Sequence, residues 1–265
     1  MLTNYHTHTT FCDGKSTVEE VVLSALAQGF DAIGFSGHGF TTFDYTYCMM
    51  DTDAYLAEVR RVQKKYEKDI EVYAGVEEDA ASPVARGKFD YIIGSSHYFH
   101  VDHIYFPVDS NYECMQKCIE VYGGDALRMA EDYYTAFCTY INAYRPDIIG
   151  HFDLLTKFDE QHPFFLANPA YTAIASRYVR EAAKSGAIFE VNTGAISRGY
   201  RTTPYPHIDL LRVLKTEGAR VMLTSDSHRA DTIACAFDEA RALLRDVGFR
   251  TVTHLYHGAF IEEAI

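Results

Sequence analysis

Short apolar runs alternate with longer amphipathic stretches along nearly the whole chain. The runs at 2–5, 32–35, 70–76, 91–94, 147–150, 187–191 and 220–224 read as strands. Between them the spacing of apolar residues predicts helices. Ser16-Thr17-Val18-Glu19 fits a capping box, with Ser16 and Glu19 satisfying free backbone donors before Val21, Val22, Ala25 and Leu26 form an apolar stripe that Gly29 ends. Further helices are expected over 52–68, in two pieces within 111–144 divided near Gly123-Gly124, over 169–184 with Asn168 as cap, over 206–217 and over 230–247.

Strand-helix alternation of this kind implies right-handed crossovers and a parallel sheet, closed or open. A closed barrel is favoured, because polar motifs follow nearly every strand, whereas an open sheet gathers its ligands at one switch point. About seven such units can be counted, one fewer than the eight of a standard (β/α) barrel. No linker, repeat or low-complexity tract marks a second domain, so residues 1–265 read as one domain around one core.

Short polar motifs, most of which close a predicted strand, carry the chemistry. They are Tyr5-His6-Thr7-His8-Thr9, Cys12-Asp13-Gly14, Ser36-Gly37-His38-Gly39, Gly75-Val76-Glu77-Glu78-Asp79, Ser95-Ser96-His97, Gly150-His151-Phe152-Asp153 and Ser225-Asp226-Ser227-His228. His6, His8, Asp13, His38, Glu77, His97, His151, Asp226 and His228 are therefore candidate metal ligands. His6 and His8 alternate with Tyr5 and Thr7, which on an extended strand turns both imidazoles to one side. An isolated pair of this kind is weak, and two surface histidines would explain it. Each further strand end bearing His, Asp or Glu lowers that alternative. Three successive acids at Glu77, Glu78 and Asp79 would repel one another without a nearby cation; Glu77 is the choice for a ligand shared by two ions. Glu78 and Asp79 are left as supporting, substrate-facing or solvated groups.

Composition narrows the field. The formal net charge is −13, which disfavours extended nucleic-acid binding. Six cysteines without a CxxC pair suit reduced thiols in a cytoplasmic protein. No apolar run is long enough to span a membrane, and no signal-like segment precedes Tyr5-His6. Of the remaining histidines, His100, His103, His162, His207, His254 and His257, most read as structural.

Taken together, HTHT, SGHG, GVEED, SSHY, GHFD and SDSH resemble the polymerase and histidinol phosphatase (PHP) superfamily, over nearly the whole chain. Glu190-Val191-Asn192-Thr193-Gly194, Arg198 and the overall size look most like its histidinol-phosphate phosphatases. The resemblance implies a distorted (β/α)7 barrel with three divalent metal ions (zinc, manganese or iron) at the C-terminal face of the strands. Carried over by motif, His6, His8, Glu77 and Asp226 would hold one ion, Glu77, His97 and His151 a second, and Asp13, His38 and His228 a third. Ser96 and Ser227 stand where Val and Ala are frequent in the family, and neither change removes a ligand.

The implied activity is hydrolysis of L-histidinol phosphate, a small phosphate monoester, by a metal-bound hydroxide. Three divalent ions would outweigh the carboxylates Asp13, Glu77 and Asp226 and leave a positive pocket, and metal lowers the pKa of water from about 15.7 to roughly 7. Glu77, Asp226, His38 and Arg198 are the catalytic candidates, with Arg198 and His38 also facing substrate. For Arg198 a phosphate-holding fork and an ordinary surface arginine weigh equally on sequence, and the resemblance tips the balance to the former. A different PHP hydrolase, acting on diesters or phosphotyrosine, and a silent metal-binding barrel are the alternatives. Oligomeric state is not legible.

Overall fold

The computed structural model describes residues 1–265. Its strands are β1 (Thr3–Asn4), β2 (Ala32–Phe35), β3 (Glu71–Asp79), β4 (Tyr91–Ser95), β5 (Tyr98–Val101), β6 (Ile104–Pro107), β7 (Ile148–Ile149), β8 (Ile188–Asn192), β9 (Val221–Thr224), β10 (Thr251–Tyr256) and β11 (Ala259–Ala264). The helices are α1 (Val18–Ala27), α2 (Thr52–Lys65), α3 (Tyr112–Val121), α4 (Ala126–Tyr144), α5 (Pro169–Ala183), α6 (Gly194–Ser197), α7 (Ile208–Thr216) and α8 (Phe237–Val247). Seven strands form one parallel sheet in the order β1-β2-β3-β4-β7-β8-β9. The ring closes just past β1 and β9, where Ser227 N–H donates to His6 O at 3.1 Å and His8 N–H donates to Ser227 O at 2.8 Å. This is the seven-stranded barrel that the alternation predicts.

Strand periodicity divides the core. Tyr5, Ala32, Tyr73, Tyr91, Ile93, Ile148, Ile188 and Met222 fill the barrel interior, while Ile33, Phe35, Val72, Ala74 and Val76 meet α1 and α2 outside it. Phe189, Val191, Val221 and Leu223 face the larger helical layer around α4, α5, α7 and α8. Gly75 makes room for Tyr91, since a Cβ there would stand 2.2 Å from the Tyr91 ring. The antiparallel β10-β11 hairpin seals the interior at the strand starts: Leu255 joins the interior cluster, and Tyr5 Oη donates to its carbonyl at 2.6 Å.

Three local differences from the sequence reading have physical causes. The capping box of α1 is built from Thr17 and Glu20, one residue later than expected; Ser16 Oγ instead accepts the Ala230 N–H at 3.1 Å and Glu19 pairs with Arg61 and Lys65. The helix expected over 230–247 is a single 3-10 turn followed by α8. Side chains of Ser24, Asn4 and Thr193 take the carbonyls of Ala230, Ile233 and Cys235, which offers that backbone an alternative to helical bonding. The β5-β6 and β10-β11 hairpins were not expected at all.

Candidate metal centre

Period two along β3 sorts its three acids. Tyr73, Gly75, Glu77 and Asp79 point into the barrel, so Glu78 points out, where it accepts from Arg86 at 2.6 Å, from the Val84 N–H at 2.8 Å and from Tyr140 Oη. Glu78 is thus removed from the site. Asp79 stays and accepts the His97 N–H at 2.8 Å, with His97 Nδ1 at 3.2 Å.

Glu77, 1% exposed, stands at the centre. Its two oxygens face different imidazoles. Oε2 is 3.1 Å from His6 Nε2, 3.5 Å from His8 Nε2 and 3.0 Å from His38 Nδ1. Oε1 is 2.9 Å from His151 Nε2 and 3.3 Å from His97 Nε2. Beside it, Asp226 Oδ1 is 3.2 Å from His8 Nε2 and 3.8 Å from His6 Nε2. Asp13 bridges the outer edge, with Oδ2 at 3.2 Å from His228 Nε2 and Oδ1 at 3.8 Å from His38 Nε2. All nine candidate ligands therefore meet in one place.

The donors fall into overlapping groups: His8, Asp13, His38 and His228; His6, His8 and Glu77; and His38, Glu77 and His97. His8, His38 and Glu77 each belong to two groups, whereas the sets carried over by motif share Glu77 alone. The chemistry of these donors fits divalent cations. His6 Nε2, His8 Nε2, Glu77 Oε2 and Asp13 Oδ1 are sealed from solvent and make no hydrogen bond, although opposing groups stand so close. Lone pairs that converge without bonding each other suit an ion taking nitrogen and oxygen ligands.

Arg198 departs from the free fork expected of it. Its guanidinium donates to Asp226 Oδ2 at 3.0 Å and to Asp226 O at 2.8 Å, beside His228 Nδ1 at 3.2 Å. Part of its donor set therefore fixes Asp226, whose backbone has φ +44°, a region sparsely used by non-glycine residues and found where surroundings over-determine the chain. Gly194 permits this approach, because a Cβ there would lie 2.8 Å from Asp226 Cβ.

Glu190 is the functional group that the reading of single residues missed. It projects inward from β8 and is 1% exposed. Oε1 lies 2.5 Å from His6 Nδ1 and accepts Thr224 Oγ1 at 2.6 Å; Oε2 accepts the His151 N–H at 2.7 Å and Asn192 Nδ2 at 2.9 Å. A carboxylate on Nδ1 fixes the imidazole so that Nε2 faces the centre. The available signal was an acid inside the otherwise apolar run 187–191.

Electrostatics reflect the same packing. Burial opposes charge on His6, but Glu190, Glu77 and Asp226 outweigh it and hold its pKa well above the ordinary value. Burial likewise opposes ionisation of Glu77 and Asp226, yet His6, His97 and His38 hold Glu77 well below the usual carboxylate range, and Arg198 and His6 do so for Asp226. Burial, with His228 and His38 nearby, pushes His8 down to about 3, leaving it a neutral imidazole.

The centre opens into a cleft of about 340 Å³. Its floor includes Asp13, His38, His97, His151, Asp226 and His228, and Arg198, Lys157, Asp109, Asp44, Tyr47 and Tyr98 stand on its walls. Of these wall groups Arg198 was a candidate from sequence. No helix is long and apolar enough to cross a membrane.

Comparison with known proteins places this architecture. The PHP domain family model matches residues 4–194. A Deinococcus radiodurans protein named "Probable histidinol-phosphatase" is 28% identical, covering 95% of this chain and 96% of its own. The histidinol-phosphatase of Bacillus subtilis is 22% identical over 88% of this chain and 96% of its own. Among solved structures, histidinol phosphate phosphatase from Lactococcus lactis subsp. lactis, complexed with zinc, L-histidinol and phosphate, superimposes with a TM-score of 0.74 at 20% identity, covering 98% of each chain.

Proposed function

This chain belongs to the PHP domain family, and from that membership we propose that it is a metal-dependent phosphomonoesterase hydrolysing L-histidinol phosphate to L-histidinol and phosphate in the cytoplasm. The observation that carries the reading is the division of Glu77, with one oxygen facing His6, His8 and His38 and the other facing His97 and His151. A carboxylate so placed suits a polynuclear centre. In this reading His6, His8, Asp13, His38, Glu77, His97, His151, Asp226 and His228 hold three divalent ions, drawn from zinc, manganese and iron. When bound, such ions neutralise phosphoryl oxygens and lower the pKa of water to roughly 7.

The chain's own groups do the rest. Glu190 and Asp79 lock the tautomers of His6 and His97 from behind. Arg198 keeps Asp226 ionised and in place, and its remaining N–H groups are available to phosphate oxygens, since a guanidinium has five donors. His38, 8% exposed on the cleft floor, faces the same substrate. A cleft of about 340 Å³ suits a small molecule, and the curated relatives are named for that substrate.

The test is a panel of phosphate monoesters and diesters with the metal-loaded protein. L-Histidinol phosphate should give the highest kcat/KM; preference for a diester contradicts the proposal.

A further inference from the structure

Resting on that reading of the cleft, we propose that Asp44 recognises the cationic leaving-group half of the substrate, as a specificity-determining residue on the wall formed by the loop after β2 and the β5-β6 hairpin. The loop and the hairpin are locked together. Phe43 stacks on Tyr105 with ring centroids 4.0 Å apart, and Tyr98 Oη donates to Asp44 Oδ2 at 2.6 Å. Asp44 Oδ1 accepts the Thr46 N–H at 2.9 Å and Thr46 Oγ1 at 2.6 Å. The carboxylate is thereby held rigidly at the cleft.

Every hydrogen-bond partner of Asp44 is neutral, and this sets it apart. Lys157 Nζ is committed to Asp109, 2.6 Å from its carbonyl and 3.2 Å from Oδ2, and Arg198 is committed to Asp226. Asp13 faces His38 and His228. Asp44 is thus a cleft carboxylate whose charge no side chain balances. An ionised carboxylate offers about four acceptor positions, and three are used. Partial burial opposes its ionisation, but the bonds from Thr46 and Tyr98 prevail and keep it below the usual range.

Aromatic faces complete the subsite. Tyr47 and Tyr98 also line the cleft and lie with ring centroids 6.0 Å apart at 26°. A cation beside a carboxylate and over such rings gains from both. The leaving group of L-histidinol phosphate carries a primary ammonium and an imidazole that protonates near neutrality. Phosphate seated at Arg198 and the metal ligands would leave that half to reach the wall.

Calorimetric titration of the metal-loaded protein with L-histidinol and, separately, inorganic phosphate isolates the subsite from turnover. Asp44→Asn, which keeps the shape, should weaken L-histidinol binding roughly tenfold or more and leave phosphate binding within about twofold. Asp44→Glu, which keeps the charge, should recover most of the loss. Unchanged L-histidinol binding in Asp44→Asn overturns the assignment. So does equal weakening of both ligands, which would make Asp44 a loop anchor only. Catalysis is judged separately: if the wild type prefers another cationic monoester, the substrate reading fails, while Asp44 is still tested by the ratio of kcat/KM for aminoalkyl against alkyl phosphates in wild type and Asp44→Asn.

Discussion

Glu190 Oε1 lies 2.5 Å from His6 Nδ1, fully buried behind the cluster, so one carboxylate that does not face the cleft sets the direction in which a cluster imidazole points. Its other oxygen holds the backbone N–H of His151 at 2.7 Å. A single side chain on β8 therefore ties the end of β1 to the end of β7.

Glu190→Gln should lower metal affinity by roughly 10–100-fold, the usual effect of removing a partner behind a metal-bound histidine. Elemental analysis across a series of metal concentrations checks this. Full occupancy at wild-type concentrations would deny Glu190 an orienting role.

Arg198→Lys keeps a positive charge but loses the planar fork that holds both Asp226 O and Oδ2. We expect kcat/KM for the monoester to fall by about 10²-fold with metal content largely kept. A variant with wild-type kinetics would deny Arg198 a part in holding phosphate and leave it only its contacts with Asp226.

Gly75→Ala should destabilise the barrel by about 3 kcal/mol or more, since overpacking alone costs roughly 1–3 kcal/mol and the added Cβ meets the Tyr91 ring at 2.2 Å. The Tyr91 hydroxyl, donating to Tyr5 O at 2.5 Å, leaves the ring little freedom to retreat. The midpoint of urea unfolding measures the loss, and an unchanged midpoint would show that the interior can yield.

Acid should weaken the hairpin seal through His254. Burial lowers its imidazole to about 4, with the N-terminal ammonium and Arg241 adding to burial and Glu263 opposing it. In the unfolded chain the same group titrates near the ordinary value of about 6.5. Between these values the unfolded chain holds a proton that the folded chain lacks, so stability falls as pH drops from about 6.5 towards 4. His254→Gln should flatten the dependence in that window. Equal slopes for variant and wild type would remove His254 as the cause.

Much of this was legible because barrel geometry turns position along a strand into position in space. Apolar runs ending in His, Asp or Glu predicted both the seven parallel strands and the candidate ligand set, which the fold brings together. Period two also separates Glu77 and Asp79 from Glu78, although the adjacent acids left that choice open. What sequence did not show depends on non-local partners. Asp44 gains meaning only when Tyr98, on the β5-β6 hairpin, donates to it, and Lys157 only through Asp109. Likewise the start of α8 was set by Ser24, Asn4 and Thr193, side chains from three distant parts of the chain.

The account's central claim is that these convergent imidazoles and carboxylates act through bound divalent cations. Turnover of L-histidinol phosphate by protein stripped with a chelator, assayed beside elemental analysis before and after metal is restored, tests it most directly. Activity should vanish with the metal and return with it, and Glu77→Gln should recover neither metal nor turnover. Undiminished hydrolysis by the rigorously stripped protein would contradict the account.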